Sequence, residues 1–213
     1  MKYVCEAEAK ELICEYGRRV YAKGLAAGNG GNLSCRTGEN EFWISPTMES
    51  KGRMTPDMLV KLDLDGNTLS SPYRPSSESG MHIGLYIENP AVGAIIHAHP
   101  PVATAFACCG KNISAAILPE SILAFGEELI VTPFATPGTE EVADSVKPYA
   151  KTHRALLLGN HGALAWAATM KEAFFAMETV EHFCKIYLIS ENILCGAEHI
   201  PAEKIAHLTA MWS

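Results

Sequence analysis

Apolar positions along this chain recur with two different periods, and the switches between them mark out its elements. Over residues 5–23 the apolar side chains Leu12, Ile13, Tyr16 and Val20 fall three or four positions apart. That spacing makes one face of a helix, which Gly24 ends. Short runs then predict strands over 33–36 and 41–44, a hairpin around Thr37-Gly38-Glu39-Asn40. Thr55-Pro56-Asp57 opens a short helical turn before a strand over 60–64, closed by Asp65-Gly66-Asn67. Ser76 or Ser77 stands where it caps a helix over 78–87. A strand over 93–99, a helix over 101–109, an apolar run over 129–133 and a helix over 139–151 follow. Strands over 155–158 and 163–166 and a helix from Met170 to about Leu194 complete the pattern. There is no internal repeat. The pattern predicts an α/β fold in a single domain over 1–213, with a mostly antiparallel central sheet covered by helices on both faces.

Composition narrows the class. With 48% hydrophobic and 19% charged residues among 213, the chain can bury a core of ordinary size. A net charge of −7 without a Lys/Arg cluster leaves no electrostatic footprint for nucleic acid or an anionic membrane. No apolar run reaches the roughly 18 to 20 residues of a membrane span, and the first residues turn acidic at Glu6 instead of forming a signal peptide. The seven cysteines show no C-x-x-C spacing and leave one unpaired in any pairing, which reads as reduced thiols. A cytoplasmic protein is expected. The adjacent Cys108 and Cys109, in a helix of small residues, read as packing.

The chemistry lies at strand ends. The strand over 93–99 runs into His97-Ala98-His99-Pro100. Alternation puts both imidazoles on one face, about 6.5 to 7 Å apart along the backbone, which suits two ligands of one metal ion. His161, in Gly159-Asn160-His161-Gly162, closes a second apolar run, and Glu78 opens the helix upstream of the pair. Three imidazoles and one displaceable carboxylate describe a catalytic divalent-metal site better than a structural one, which usually relies on cysteine. Such a donor set accepts Zn²⁺, Mn²⁺ or Co²⁺. His82, His153, His182, His199 and His207 read as structural or solvated, although His82 lies one helical turn after Glu78. The glycine-rich turn Gly28-Asn29-Gly30-Gly31-Asn32 can offer N–H groups to a phosphate, or serve as an ordinary loop.

Six short stretches carry more weight together than singly. Gly31-Asn32-Leu33-Ser34-Cys35-Arg36, Ile44-Ser45-Pro46-Thr47, Pro75-Ser76-Ser77-Glu78, His97-Ala98-His99-Pro100, Pro133-Phe134-Ala135-Thr136-Pro137-Gly138-Thr139 and Asn160-His161-Gly162 occur in one order. Over roughly residues 8–190 the chain thereby resembles the class II aldolase/adducin family, most closely its L-fuculose-1-phosphate aldolase-like branch. The resemblance implies zinc held by His97, His99 and His161, with Glu78 both ligand and catalytic base. It also implies a substrate phosphate held by Gly31, Asn32, Thr47, Ser76 and Ser77. A homotetramer with sites at subunit interfaces is the family's common assembly. The implied reaction is reversible cleavage of a short ketose 1-phosphate, a small phosphorylated sugar, to dihydroxyacetone phosphate and an aldehyde.

Two departures from that branch bear on the assignment. Its members carry glycine after Ser/Thr-Pro-Ser/Thr, where this chain has Met48, and a proton-donating tyrosine in the segment that here reads Leu118-Pro119-Glu120-Ser121. Glu120 is the candidate acid in place of that tyrosine, or else an exposed loop carboxylate. Lys51 and Arg53 either meet a phosphate or are solvated. Contacts to the aldehyde half are expected from loops and from 198–213, including Trp212. The alternatives are a methylthioribulose-1-phosphate dehydratase-like lyase, a sugar-phosphate epimerase, whose family members have aspartate where Glu78 stands, and a non-catalytic adducin-like interaction module.

Overall fold

The computed structural model describes residues 3–210, so Trp212 lies outside the described residues. In chain order the elements are α1 (Glu6–Ala22), β1 (Asn32–Arg36), β2 (Glu41–Ile44), a 3-10 turn at Pro56–Met58, β3 (Val60–Asp63), β4 (Thr68–Ser70), α2 (Ser79–Glu88) and β5 (Ala94–Ala98). Then come α3 (Pro101–Cys109), β6 (Ile113–Ser114), α4 (Pro119–Phe125), β7 (Glu128–Leu129), β8 (Val131–Thr132), α5 (Glu140–Val146) and a 3-10 turn at Lys147–Tyr149. β9 (Ala155–Leu158), β10 (Gly162–Ala167), α6 (Met170–Tyr187), a π-helical stretch Leu188–Ile193 and α7 (Ala202–Ala210) follow. Eight strands form one sheet in the order β4-β3-β2-β1-β5-β10-β9-β8, antiparallel throughout except between β8 and β9. β6 and β7 pair separately.

Helices cover both faces of the sheet. On one, Leu33, Ile96, Leu157 and Ala165 pack with Ile13 of α1, Ala103 of α3 and Met177 of α6. On the other, Ile95, Leu156, Leu164 and Trp166 pack with Met81 and Leu85 of α2 and Val142 of α5. Burial on both faces is why β5 and β9 read as unbroken apolar runs although the sheet is mostly antiparallel. The α/β architecture expected from the pattern is the one observed.

Several local expectations are corrected. No serine side chain caps α2: its N-cap residue is Glu78, and Ser76 Oγ accepts instead from the Glu78 N–H at 3.3 Å. The helix expected over 139–151 stops at Val146, because Pro148 lacks the N–H that would continue it. The last long helix leaves α geometry at Leu188. Cys108 and Cys109 are exposed, not packed, since α3 buries Ala103 and Ala107. Glu120 stands in the first turn of a helix, not in a loop.

Candidate active site

Strand register assembles the site. Asn32 of β1 stands opposite His97 and Ser34 opposite Ile95, so these four side chains share the sheet face that α2 covers. Gly31 lets β1 begin there: its φ is 74°, and a Cβ would lie 2.5 Å from the His97 carbonyl oxygen. On the other flank, a Cβ at Gly162 would lie 2.6 Å from both the Ala98 oxygen and His99 Cδ2. Asn160, at φ 54°, makes the left-handed turn that brings His161 back beside the pair.

The four candidate ligands meet. His97 is fully buried and donates its Nδ1–H to the Ala163 carbonyl at 2.9 Å, leaving the Nε2 lone pair facing the site. His99 Nε2 lies 3.0 Å from His97 Nε2, and the donor atoms of His97, His99 and His161 all fall within 4.8 Å of one another. Glu78 Oε2 is 3.3 Å from His97 Nε2 and Oε1 is 3.5 Å from His161 Nε2. Glu78 Oε1 is buried without a hydrogen-bond partner, a costly arrangement that a cation among these donors would relieve. This all-nitrogen-and-oxygen set fits a divalent metal. Burial pushes the pKa of His97 well below the usual imidazole value, helped by His99 and His161, and burial followed by His161 lowers that of His99. Both rings therefore stay neutral, as metal ligation requires.

Behind Glu78 lies a second set of polar groups. Asn32 Nδ2 donates to Glu78 Oε2 at 2.8 Å, and its Oδ1 is 2.5 Å from His82 Nε2. His82 Nδ1 is 2.7 Å from Ser34 Oγ, which is 2.8 Å from the Tyr86 hydroxyl. His82 is therefore buried and structural in placement, with its pKa pushed down to about 3, chiefly by burial. Ser34 stands in one of the six family stretches, but no feature of the sequence marked out a role of its own.

The other predicted phosphate-site residues lie in turns laced together beside β1. Ser45 N donates to the Leu33 oxygen, Ser76 N to the Ser45 oxygen and Thr47 N to the Arg74 oxygen, at 2.9, 3.2 and 3.0 Å. Ser76 is buried and Ser77 exposed. A hollow of about 360 Å³ opens beside Ser77 and Glu78, lined also by Gly80, Gly138, Thr139 and Lys147. Lys51 is buried, not solvated: its Nζ donates to the carbonyls of Asn29 at 3.0 Å and Glu49 at 2.5 Å, and burial lowers its pKa to about 8. Arg53 is exposed. Glu120 lines a different hollow, with Lys23, Glu178, His182 and Lys185, and none of the four candidate ligands borders it.

Similar proteins carry the same arrangement of sequence and fold. Residues 11–188 match the family described as class II aldolase and adducin N-terminal domain. The chain is 33% identical to 5-deoxy-D-ribulose 1-phosphate aldolase of Bacillus thuringiensis, with 86% of each sequence covered. It is 32% identical to 3-oxo-tetronate 4-phosphate decarboxylase of Haemophilus influenzae, covering 84% of this chain and 86% of that one. A solved L-fuculose 1-phosphate aldolase superposes with a TM-score of 0.90 at 30% identity, over 99% of this chain and 98% of that one.

Proposed function

Because the chain belongs to the class II aldolase and adducin family, we propose that it is a metal-dependent aldolase acting on a short ketose 1-phosphate of the L-fuculose 1-phosphate type. Its products are dihydroxyacetone phosphate and an aldehyde. The observation that carries this reading is the unpartnered, buried Glu78 Oε1 set among three converging imidazoles. His97, His99, His161 and Glu78 would hold the divalent ion, zinc by resemblance. Once bound, the ion supplies Lewis acidity that stabilises charge developing on the substrate's ketone oxygen.

The chain's own residues do the rest. Gly31, Asn32, Thr47, Ser76 and Ser77 grip the phosphate, and Asn32 keeps a second Nδ2 hydrogen for it while the first serves Glu78. The dianion's binding energy orients the carbon–carbon bond that breaks. Glu78 returns a proton to the carbon left with the electron pair, and removes it in the condensation direction. Glu120 is the proposed group that takes the proton of the hydroxyl that becomes the aldehyde oxygen in cleavage and returns it in condensation, supplied by a neighbouring copy in a homotetramer. The reading takes residues 1–213 as one such domain of a cytoplasmic enzyme; among the described residues no helix is long and apolar enough to cross a membrane.

One second reading has a specific observation behind it. Similarity to the 3-oxo-tetronate 4-phosphate decarboxylase favours loss of carbon dioxide from a 3-keto acid phosphate. The two reactions share their chemistry: each breaks a carbon–carbon bond beside a ketone, and Glu78 protonates the same carbon.

The test combines metal analysis with product identification for wild type and Glu78→Gln. The variant should retain metal through three imidazoles yet lose roughly a hundredfold or more in turnover, the scale of a general base. Release of dihydroxyacetone phosphate and an aldehyde from ketose 1-phosphates supports the aldolase, whereas release of carbon dioxide and dihydroxyacetone phosphate from the 3-keto acid phosphate, with no cleavage of ketose 1-phosphates, replaces it with the decarboxylase. Turnover by Glu78→Gln near the wild-type rate overturns the assignment of the base.

A further inference from the structure

Glu78, His82 and Tyr86 lie one turn apart along α2 and face Asn32 and Ser34 of β1. We infer that His82, backed by Ser34 and Tyr86, is a positioning residue that locks the Asn32 amide so that it donates to one oxygen of Glu78 and leaves the other free for chemistry. This rests on reading Glu78 as the carboxylate that moves the substrate proton.

The direction of every hydrogen bond follows from Glu78 outward. A carboxylate only accepts, so the Asn32 atom 2.8 Å from Oε2 is the NH₂ nitrogen, and Oδ1 is turned toward His82. An amide oxygen also only accepts, so His82 Nε2 carries the hydrogen that spans the 2.5 Å contact. The ring is fully buried and thus neutral, which makes Nδ1 the acceptor of the Ser34 hydroxyl at 2.7 Å. Ser34 Oγ in turn accepts from the Tyr86 hydroxyl at 2.8 Å, and burial raises the Tyr86 pKa so that this hydroxyl keeps its proton. Tyr86, Ser34, His82 and Asn32 therefore form one chain in which each donor points toward Glu78.

The consequence is an asymmetric carboxylate. Oε2 is tethered by Asn32, while Oε1 has no hydrogen-bond partner and is the oxygen nearer His161. Without a donor at position 82 the Asn32 amide is free to turn its oxygen toward Glu78, where two acceptors repel. Nothing else among the described hydrogen bonds fixes the Asn32 Oδ1.

Two measurements test this. In holoenzyme labelled with ¹⁵N-histidine, His82 should titrate nowhere near neutrality and carry its proton on Nε2. A proton on Nδ1 overturns the inference without any variant. The second measurement is exchange of the C–H proton of dihydroxyacetone phosphate, the step assigned to Glu78. His82→Leu, which has no donor, should lose about ten- to a hundredfold in exchange, the range for removing a partner that orients a ligand. Its KM should rise as well, because the amide that turns away from Glu78 also withdraws its second Nδ2 hydrogen from the phosphate. His82→Gln, whose amide N–H reaches the place of Nε2, should recover exchange to within about threefold of wild type. Wild-type exchange in His82→Leu, or equal losses in both variants, overturns the inference. Exchange that survives in Glu78→Gln instead removes the reading of Glu78 on which it rests.

Discussion

Met48 occupies left-handed backbone at φ 63° and is 75% exposed. Glycine takes that conformation without strain, whereas methionine there pays roughly 1 kcal/mol for it. Here a single position legible in the sequence has its structural consequence at that same position. His82 shows the opposite relation between sequence and structure. Its spacing from Glu78 was visible, but its partners Asn32 and Ser34 are brought to it by strand register across about 50 positions of chain. The metal pair at His97 and His99 was legible because alternation along a strand is a local rule. The His82 chain was not, because no local rule relates β1 to α2. A titration prediction follows at this scale. His82 has a folded pKa of about 3 against an ordinary 6.5, so between those values the unfolded chain binds the extra proton. Stability from this group is complete above pH 6.5 and is lost as pH falls toward 3, at about 1.4 kcal/mol per pH unit. Urea unfolding of metal-free wild type and His82→Gln from pH 4 to 6.5 should therefore give a slope shallower by that amount in the variant. Parallel curves would mean that His82 is protonated in the folded protein.

Between β5 and α3 the chain turns within Pro100-Pro101, directly after His99. Pro101 starts the helix, whose next two N–H groups, on Val102 and Ala103, donate to Glu181 Oε2 at 3.1 and 3.0 Å. Glu181 comes from α6, is 3% exposed and also meets Lys185 Nζ at 3.2 Å. A buried carboxylate on a helix N-terminus satisfies donors that the helix itself leaves unpaired, and it is favoured by the helix dipole. Glu181→Ala should cost about 2 to 4 kcal/mol by leaving those N–H groups buried without acceptors. It should also weaken metal binding in a competitive chelator titration, since α3 begins two residues after His99. Unchanged metal affinity would show that the start of α3 does not position that ligand. At this scale the sequence was legible wherever an element buried a broad face. α1, α2, β5 and α3 stand within about two residues of their expected bounds. β4, α4 and α7 escaped notice because β4 is exposed along its length, α4 is seven residues long and α7 buries no residue. The long C-terminal helix was extended too far because its apolar spacing runs on through Ile189 and Ile193, both exposed in the π-helical stretch.

For the whole molecule, the open question is how a complete reaction site is assembled from what one chain provides. One copy brings together the four candidate ligands and the laced phosphate turns, but it puts Glu120 in a separate exposed hollow at the start of α4. A general acid must come within hydrogen-bond reach of the group it protonates. If Glu120 acts at all, it acts on a neighbouring copy's site, which is also what the homotetramer implied by resemblance requires. Such sharing makes a quantitative prediction. Glu78→Gln and Glu120→Gln should each be nearly inactive alone. When the two are unfolded and refolded together in equal amounts, an intact Glu78 occurs on half the subunits, all carrying the Glu120 change. Half of those have as their donating neighbour a subunit with an intact Glu120. About one quarter of the wild-type turnover should therefore reappear, since random assembly makes that fraction of shared sites whole. No recovery, with each variant inactive alone, would place Glu120 in its own subunit's reaction, and a fully active Glu120→Gln would remove it from the mechanism.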